Sequence, residues 1–167
     1  MFKQTKISSI FISAKKGLFV YNSEDLPAGT EIQATITAIK LETDPGSKEH
    51  KIKPGERLIV TLQGTEEAAN FFINLNGFTG KKILCLLPSL ESPFISIGMK
   101  KGNEEIPTVF IGSRETEESQ KTNWHKTKFS FDSDGDLFNR ETKETITEAE
   151  ILESVADLIN VPYIDAR

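Results

Sequence analysis

Apolar and polar residues alternate over residues 7–22 with the two-residue period of a half-buried strand. Ile10, Ile12 and Ala14 alternate with Ser9, Phe11 and Ser13, and Leu18 and Val20 alternate with Phe19 and Tyr21. Lys15-Lys16-Gly17 between the two runs suits a three-residue hairpin loop with Gly17 in the left-handed conformation. Such a loop pairs Ala14 with Leu18, Ile12 with Val20 and Phe11 with Tyr21. One face of the hairpin is then aliphatic. The other carries Phe11, Phe19 and Tyr21, with two lysines at the tip. Residues 31–42 give the longest strand signal. Ile32, Ala34 and Ile36 point one way, after which the apolar positions move to Ile39 and Leu41. That change of phase predicts a bulge near Ala38. A long polar loop over 43–56 follows, with Lys48, His50, Lys51 and Lys53 in it, and then a strand with Leu58, Val60 and Leu62 on one face.

Farther along, Thr65 is placed to cap a short helix, with Glu66 and Glu67 in its first turn, Phe71, Phe72 and Leu75 in its body and Gly77 as its stop. Residues 81–87 and 94–99 read as apolar strands broken by Pro88 and Pro93, and Gly102-Asn103 reverses the chain into a strand at 108–111. Residues 113–123 are charged, rich in Ser and Thr and without periodicity, the pattern of a linker or long loop. Residues 128–131 and 137–138 predict a hairpin turning at Asp134-Gly135. Thr147-Glu148-Ala149-Glu150 is a capping box stapled by Ile146 and Ile151. Ile151, Val155, Leu158 and Ile159 then share one helical face, and Pro162 ends the helix. The expected organisation is a β-rich core over 1–112, a linker over 113–123, and a hairpin plus helix over 124–167 packed on the core or on a partner.

The chain has 167 residues, 37% hydrophobic and 27% charged, a composition that fits one globular domain with additions. No apolar run approaches the ~20 residues of a membrane span. The apolar stretch behind Lys3 and Lys6 is broken by Ser8, Ser9, Ser13, Lys15 and Lys16, so it lacks the core of a secretory signal. A single cysteine, Cys85, allows no internal disulfide. These features together predict a cytoplasmic protein without membrane contact. Net charge is −5 but unevenly spread: residues 1–101 hold 13 Lys and Arg against 10 Asp and Glu, while residues 102–167 hold 7 against 15. A basic front and an acidic back suit a polyanion surface joined to an acidic docking region.

No motif points to an enzyme, a cofactor or a metal. His50 and His125 adjoin no nucleophile motif, and Cys85 lies in an apolar run. Gly77-Phe78-Thr79-Gly80-Lys81-Lys82 has the composition of a phosphate loop, but it is expected to lead into a strand, without a supporting helix N-terminus. Asp132-Ser133-Asp134-Gly135-Asp136 resembles the start of a calcium loop. An EF-hand from Asp132 would need glycine at 137 and glutamate at 143, where this chain has Leu137 and Lys143.

The remaining chemistry is that of a single-strand binder, which needs flat rings for bases and cations for phosphates. The candidates are Phe11, Phe19 and Tyr21 beside Lys15 and Lys16 on the hairpin, Lys48, Lys51 and Lys53 in the polar loop, and Lys81 and Lys82 at a strand end. The order of signals over 7–112 resembles an OB-fold, a small antiparallel barrel: a lead-in hairpin, a long bent strand, a long loop, a second strand, a short helix, then further strands. In outline it is similar to the compact single-stranded DNA-binding proteins of bacteriophages. That resemblance implies sequence-indifferent coating of single-stranded DNA, or RNA, during replication or recombination. It also implies a replication or recombination protein docked on the acidic half, with homo-oligomers an open question. The competing expectation is a protein-interaction or assembly module that uses the acidic C-terminal helix and does not bind nucleic acid.

Overall fold

The computed structural model describes residues 7–49, 51, 53–101, 107–113, 122–123 and 127–167. The chain is mainly β. Nine strands form a continuous sheet path in the order β3 (Glu24–Asp25), β2 (Leu18–Tyr21), β1 (Ser8–Ser13), β6 (Ala68–Asn74), β5 (Gly55–Gln63), β4 (Ile32–Asp44), β7 (Phe94–Lys100), β8 (Thr108–Gly112) and β9 (Thr122–Asn123). A further strand, β12 (Tyr163–Asp165), adds to β4. The sheet is mixed rather than antiparallel throughout, because β1 runs parallel to β6 and β12 parallel to β4. Its path is open, with β3 at one end and β9 at the other, and the described strands do not close a barrel.

The expected bulge in β4 is present. The register with β5 shifts between Ile36 and Ala38, so Ala34 and Ile36 before it and Ile39 and Leu41 after it are all buried. The bulge also divides one edge of β4 between two partners. Ile32 to Thr35 pair with β7, and Ile39 to Leu41 pair with β12. At the far end of β12, Arg167 bridges Asp165 at 2.8 Å and Glu56 at 2.7 Å.

Two elements between residues 65 and 87 are exchanged relative to the sequence expectation. The segment expected to be a helix is β6, in which Ala69, Phe71 and Ile73 are buried and alternate with Ala68, Asn70 and Phe72. β6 takes the free edge of β5 in unbroken antiparallel register from Gln63↔Ala68 to Arg57↔Asn74. That ladder outweighs the helical propensity of Glu66-Glu67-Ala68-Ala69. The segment expected as a strand over 81–87 instead belongs to α1 (Phe78–Leu86). Its run Ile83-Leu84-Cys85-Leu86 is buried on all sides because α1 lies between the sheet and α2 (Glu148–Ile159). An apolar run of this length has no period that separates helix from strand. Pro88 lies in the short 3-10 turn Leu87–Ser89 that follows.

The C-terminal elements match their sequence signals closely. β10 (Phe129–Phe131) pairs with β11 (Leu137–Asn139), and the chain turns through Gly135 at φ +85°. Thr147 caps α2: its Oγ1 accepts from the Glu150 amide at 3.2 Å and donates to the Glu150 carboxylate at 3.0 Å. Asn160, left-handed at φ 57°, stops the helix ahead of Pro162. The buried stripe is Ile151, Leu152, Val155, Ala156 and Ile159, centred a little away from the expected one, so Leu158 is exposed at its edge. Phe129, Leu137 and this stripe join the same hydrophobic core as the sheet and α1. Replacing Thr147 with alanine should therefore lower stability by about 1 kcal/mol, and serine should restore it, as read from urea denaturation midpoints.

No helix among the described residues is long and apolar enough to cross a membrane. The expected linker falls outside the described residues apart from 113, 122 and 123, as do Gly102-Asn103, His50, Trp124 and His125.

Candidate nucleic-acid interface

The hairpin loop is one residue longer than expected. Gly17, at φ +68°, donates its amide to the Ser13 carbonyl at 2.8 Å, and the last strand pair is Ser13↔Leu18. The register becomes Ile10↔Tyr21, Phe11↔Val20 and Ile12↔Phe19. A slip of one residue sends every side chain of β2 to the opposite face. Phe19 therefore leaves the expected aromatic face. It is 1% exposed and meets Phe71 edge-on, with ring centroids 5.7 Å apart. Tyr21 also turns toward the core and is half-buried. Its hydroxyl donates to Ser8 Oγ at 3.0 Å, Ser8 Oγ donates in turn to Glu67 at 3.1 Å, and the nearby Glu67 carboxylate holds the Tyr21 pKa above that of an ordinary phenol. Neither ring is available as a base platform.

Phe11 keeps its outward position at 43% exposure, unusual for phenylalanine, and lies flat on Phe72, with centroids 4.9 Å apart and planes 11° from parallel. The Arg57 guanidinium covers Phe72 at 5.0 Å and is fixed by the Glu42 carboxylate. Phe78, 41% exposed at the start of α1, stacks on Phe131 at 5.3 Å. Phe11, Phe72 and Phe78 line a cleft of about 530 Å³ between β1, the outer face of β5–β6 and the first turn of α1. Gly80 lets α1 approach this closely, since a Cβ there would strike the Asn74 carbonyl.

Strand directions explain which cations gather near this cleft. β1 is parallel to β6 and β6 antiparallel to β5, so the end of β1, the end of β6 and the start of β5 lie at one end of the sheet. The 45–54 loop with exposed Lys48, Lys51 and Lys53 and the start of α1 with Lys81 thus share that end, whereas Lys15 and Lys16 at the hairpin tip lie against the end of β7 and the segment before β4. Two contacts tie the 45–54 loop to α1: Asn76 Nδ2 donates to the Pro54 carbonyl at 3.1 Å, and Lys81 Nζ donates to the Asn76 carbonyl at 3.3 Å. Lys101, at the end of β7, donates to the Lys15 carbonyl. Not every lysine is equally available. Lys16 pairs with Asp25 at 2.8 Å, and Lys82 is half-buried on α1 and already partnered.

The glycine- and lysine-bearing stretch 77–82 opens a helix after all. Gly77 is the N-cap of α1, and no side chain caps its first turn. Cys85 has no part in the site: it is buried in α1, and burial pushes its thiol up to about 12, which keeps it protonated. Asp132, Asp134 and Asp136 bring their carboxylates within 4.8 Å of one another. Asp132 Oδ1 accepts from the amides of both Asp134 and Asp136 at 2.9 Å, so the cluster follows from the hairpin turn itself.

Sequence reading missed Phe72, Arg57, Phe78 and Asp44 in this cleft. For Phe72 and Arg57 a signal existed, because reading 68–74 as a strand puts Phe72 on the same outward face as Arg57 across the β5–β6 pair. No protein-family model matches this chain, and no curated protein and no solved structure matches it either.

Proposed function

We propose that this chain binds single-stranded nucleic acid, with little dependence on sequence, across the cleft at the lysine-rich end of its sheet. The observation that carries this reading is Phe11, exposed and stacked flat on Phe72 at the mouth of an aromatic cleft, with the exposed lysines of the 45–54 loop at the same end of the sheet. An exposed phenylalanine there gains no hydrogen bond, whereas stacking an unpaired base is worth about 1–3 kcal/mol and does not depend on base identity. The exposed lysines supply phosphate contacts. Strand order adds support. Taken from the long bent β4, the order β6-β5-β4-β7-β8, with α1 between β6 and β7, is compatible with the strand 3-2-1-4-5 order of an OB-fold, although the path stays open and β1 occupies the outer edge of β6. That fold binds oligonucleotides on strands 2 and 3, here β5 and β6, and on the loop between strands 1 and 2, here residues 45–54. In this reading the protein coats exposed strands in the cytoplasm during replication or recombination, in the manner of the phage-type binders.

The reading as a docking module has weaker support, since the apolar stripe of α2 is already buried in its own core. A titration with labelled single- and double-stranded oligonucleotides of equal length tests the proposal. Anisotropy should rise more for the single strand, and affinity should fall log-linearly with salt at a slope of about −0.7 per phosphate contact. No anisotropy change with labelled poly-dT at low ionic strength and micromolar protein would end it.

A further inference from the structure

We infer that the N-terminus of α1 binds a phosphate group, held by the amides of Phe78, Thr79 and Gly80 together with the Thr79 hydroxyl. This deepens the nucleic-acid reading above and rests on it for the owner of the phosphate, which is the backbone of the bound strand. α1 spans nine residues, and the first amides of a helix have no partner within it. A serine, threonine or aspartate at the N-cap ordinarily takes up one of them. Here the N-cap is Gly77, no side chain caps the helix, and its first turn holds no acidic residue. The amides and the positive end of the helix dipole are therefore left for a ligand. Gly77, Phe78, Thr79 and Gly80 all line the aromatic cleft, so the helix end opens into the space that Phe11 and Phe72 border.

Thr79 is a second, independent sign. The residue is 7% exposed, and a hydroxyl so enclosed is normally paired. Its Oγ1 makes no hydrogen bond among the described residues, yet it is not sealed from the cleft that Thr79 lines. A rotatable O–H beside uncapped N–H groups is a donor set suited to phosphate oxygens, which only accept. The acids of the cleft stand on its other side. Glu42 and Asp44 belong to β4, Arg57 lies opposite Glu42 on β5, and Asn74 lies opposite Arg57 on β6, with its carbonyl against Gly80. The guanidinium thus comes between the carboxylates and the helix end. Lys81 is not counted among the donors, because its Nζ already bonds to the Asn76 carbonyl and its side chain lies against the Gly135 turn.

Two substitutions test this without threatening the fold. Gly77 has φ −87° and ψ 156°, with open space where a Cβ would stand. Gly77→Asp is therefore free of clashes, caps the helix itself and sets a carboxylate where the phosphate binds, so its Tm should equal or exceed that of wild type. Thr79→Val removes an unpaired hydroxyl at nearly constant shape and should likewise hold Tm. In amide NMR spectra of wild type, inorganic phosphate and an oligo-dT lacking a terminal phosphate should each shift the amides of residues 78–80, and Gly77→Asp should abolish both responses. By anisotropy, affinity for that oligo-dT should fall by about tenfold or more in either variant, as expected for losing hydrogen bonds to a charged group. Binding of oligo-dT that leaves the 78–80 amides unmoved, or wild-type affinity in Gly77→Asp, overturns the phosphate site while leaving the broader reading standing. A response only to inorganic phosphate or to an oligo-dT with a terminal phosphate overturns the assignment to the strand backbone. No binding of any oligonucleotide overturns the reading on which that assignment rests.

Discussion

Phe19→Ala is expected to destabilise the fold by about 3–5 kcal/mol, the cost of emptying a fully enclosed aromatic position. The ring is 1% exposed, lies opposite Ile12 and meets the edge of Phe71, so its loss leaves a cavity between the lead-in hairpin and β6. At about 2–4 °C per kcal/mol for a domain of this size, Tm should drop by roughly 6–20 °C. The urea midpoint should fall with the m-value unchanged. The same substitution would cost less than about 0.5 kcal/mol had the ring faced water, as the three-residue loop implied. The measurement thus decides between two registers that differ by one residue. Oligonucleotide affinity of the folded fraction, measured well below the lowered Tm, should match wild type, because Phe19 does not line the cleft.

What could be read from the chain, and what could not, divides along the same physical line. β4 with its bulge, β5, the Asp134-Gly135 hairpin and the capped α2 were legible because each carries its signal within a few residues. The phase change from Ile36 to Ile39 needs no knowledge of a partner, and neither does Thr147 three residues before Glu150. The elements that were misread depend on distant partners. Ala68-Ala69-Asn70-Phe71-Phe72 supports a helix by propensity and a strand by alternation, and the free edge of β5 decides for the strand. Ile83 to Leu86 has no period at all, and only the layers packed around α1 decide for the helix. The site follows the same division. Its lysines and Phe11 were visible as residue types in the sequence. The meeting of Phe11 with Phe72 depends on the parallel pairing of β1 with β6, residues 61 positions apart, and no local pattern announces such a pairing. Phe72 was hidden by the helix reading and Phe78 by the strand reading, and the hairpin register wrongly recruited Phe19 and Tyr21.

Phe11→Ala should have the opposite profile to Phe19→Ala: a large loss of binding with a small loss of stability. If the ring carries one stacked base, its removal should weaken single-strand affinity by about 1–3 kcal/mol, roughly five- to more than a hundredfold. The ring is 43% exposed, and its flat contact with Phe72 is worth about 0.5–1.5 kcal/mol beyond the area it buries, so the stability loss should fall well short of that of the fully enclosed Phe19. Alanine alone leaves one ambiguity, since it also uncovers Phe72. Phe11→Leu resolves it by keeping an apolar cover over Phe72 without a flat surface for a base, so stability should return while affinity stays low. Phe11→Trp offers a larger flat surface and should hold affinity at or above the wild-type value. Salt dependence separates this loss from a loss of phosphate contacts. Removing a stacking ring lowers affinity equally at every salt concentration, so the slope of log affinity against log salt should be unchanged in Phe11→Ala. Replacing Lys48, Lys51 and Lys53 together should reduce that slope instead. A binding loss in Phe11→Ala that is fully restored by leucine would mean that the ring acts by covering Phe72 rather than by stacking. The cleft would then lose the one feature that marks it as a site for bases.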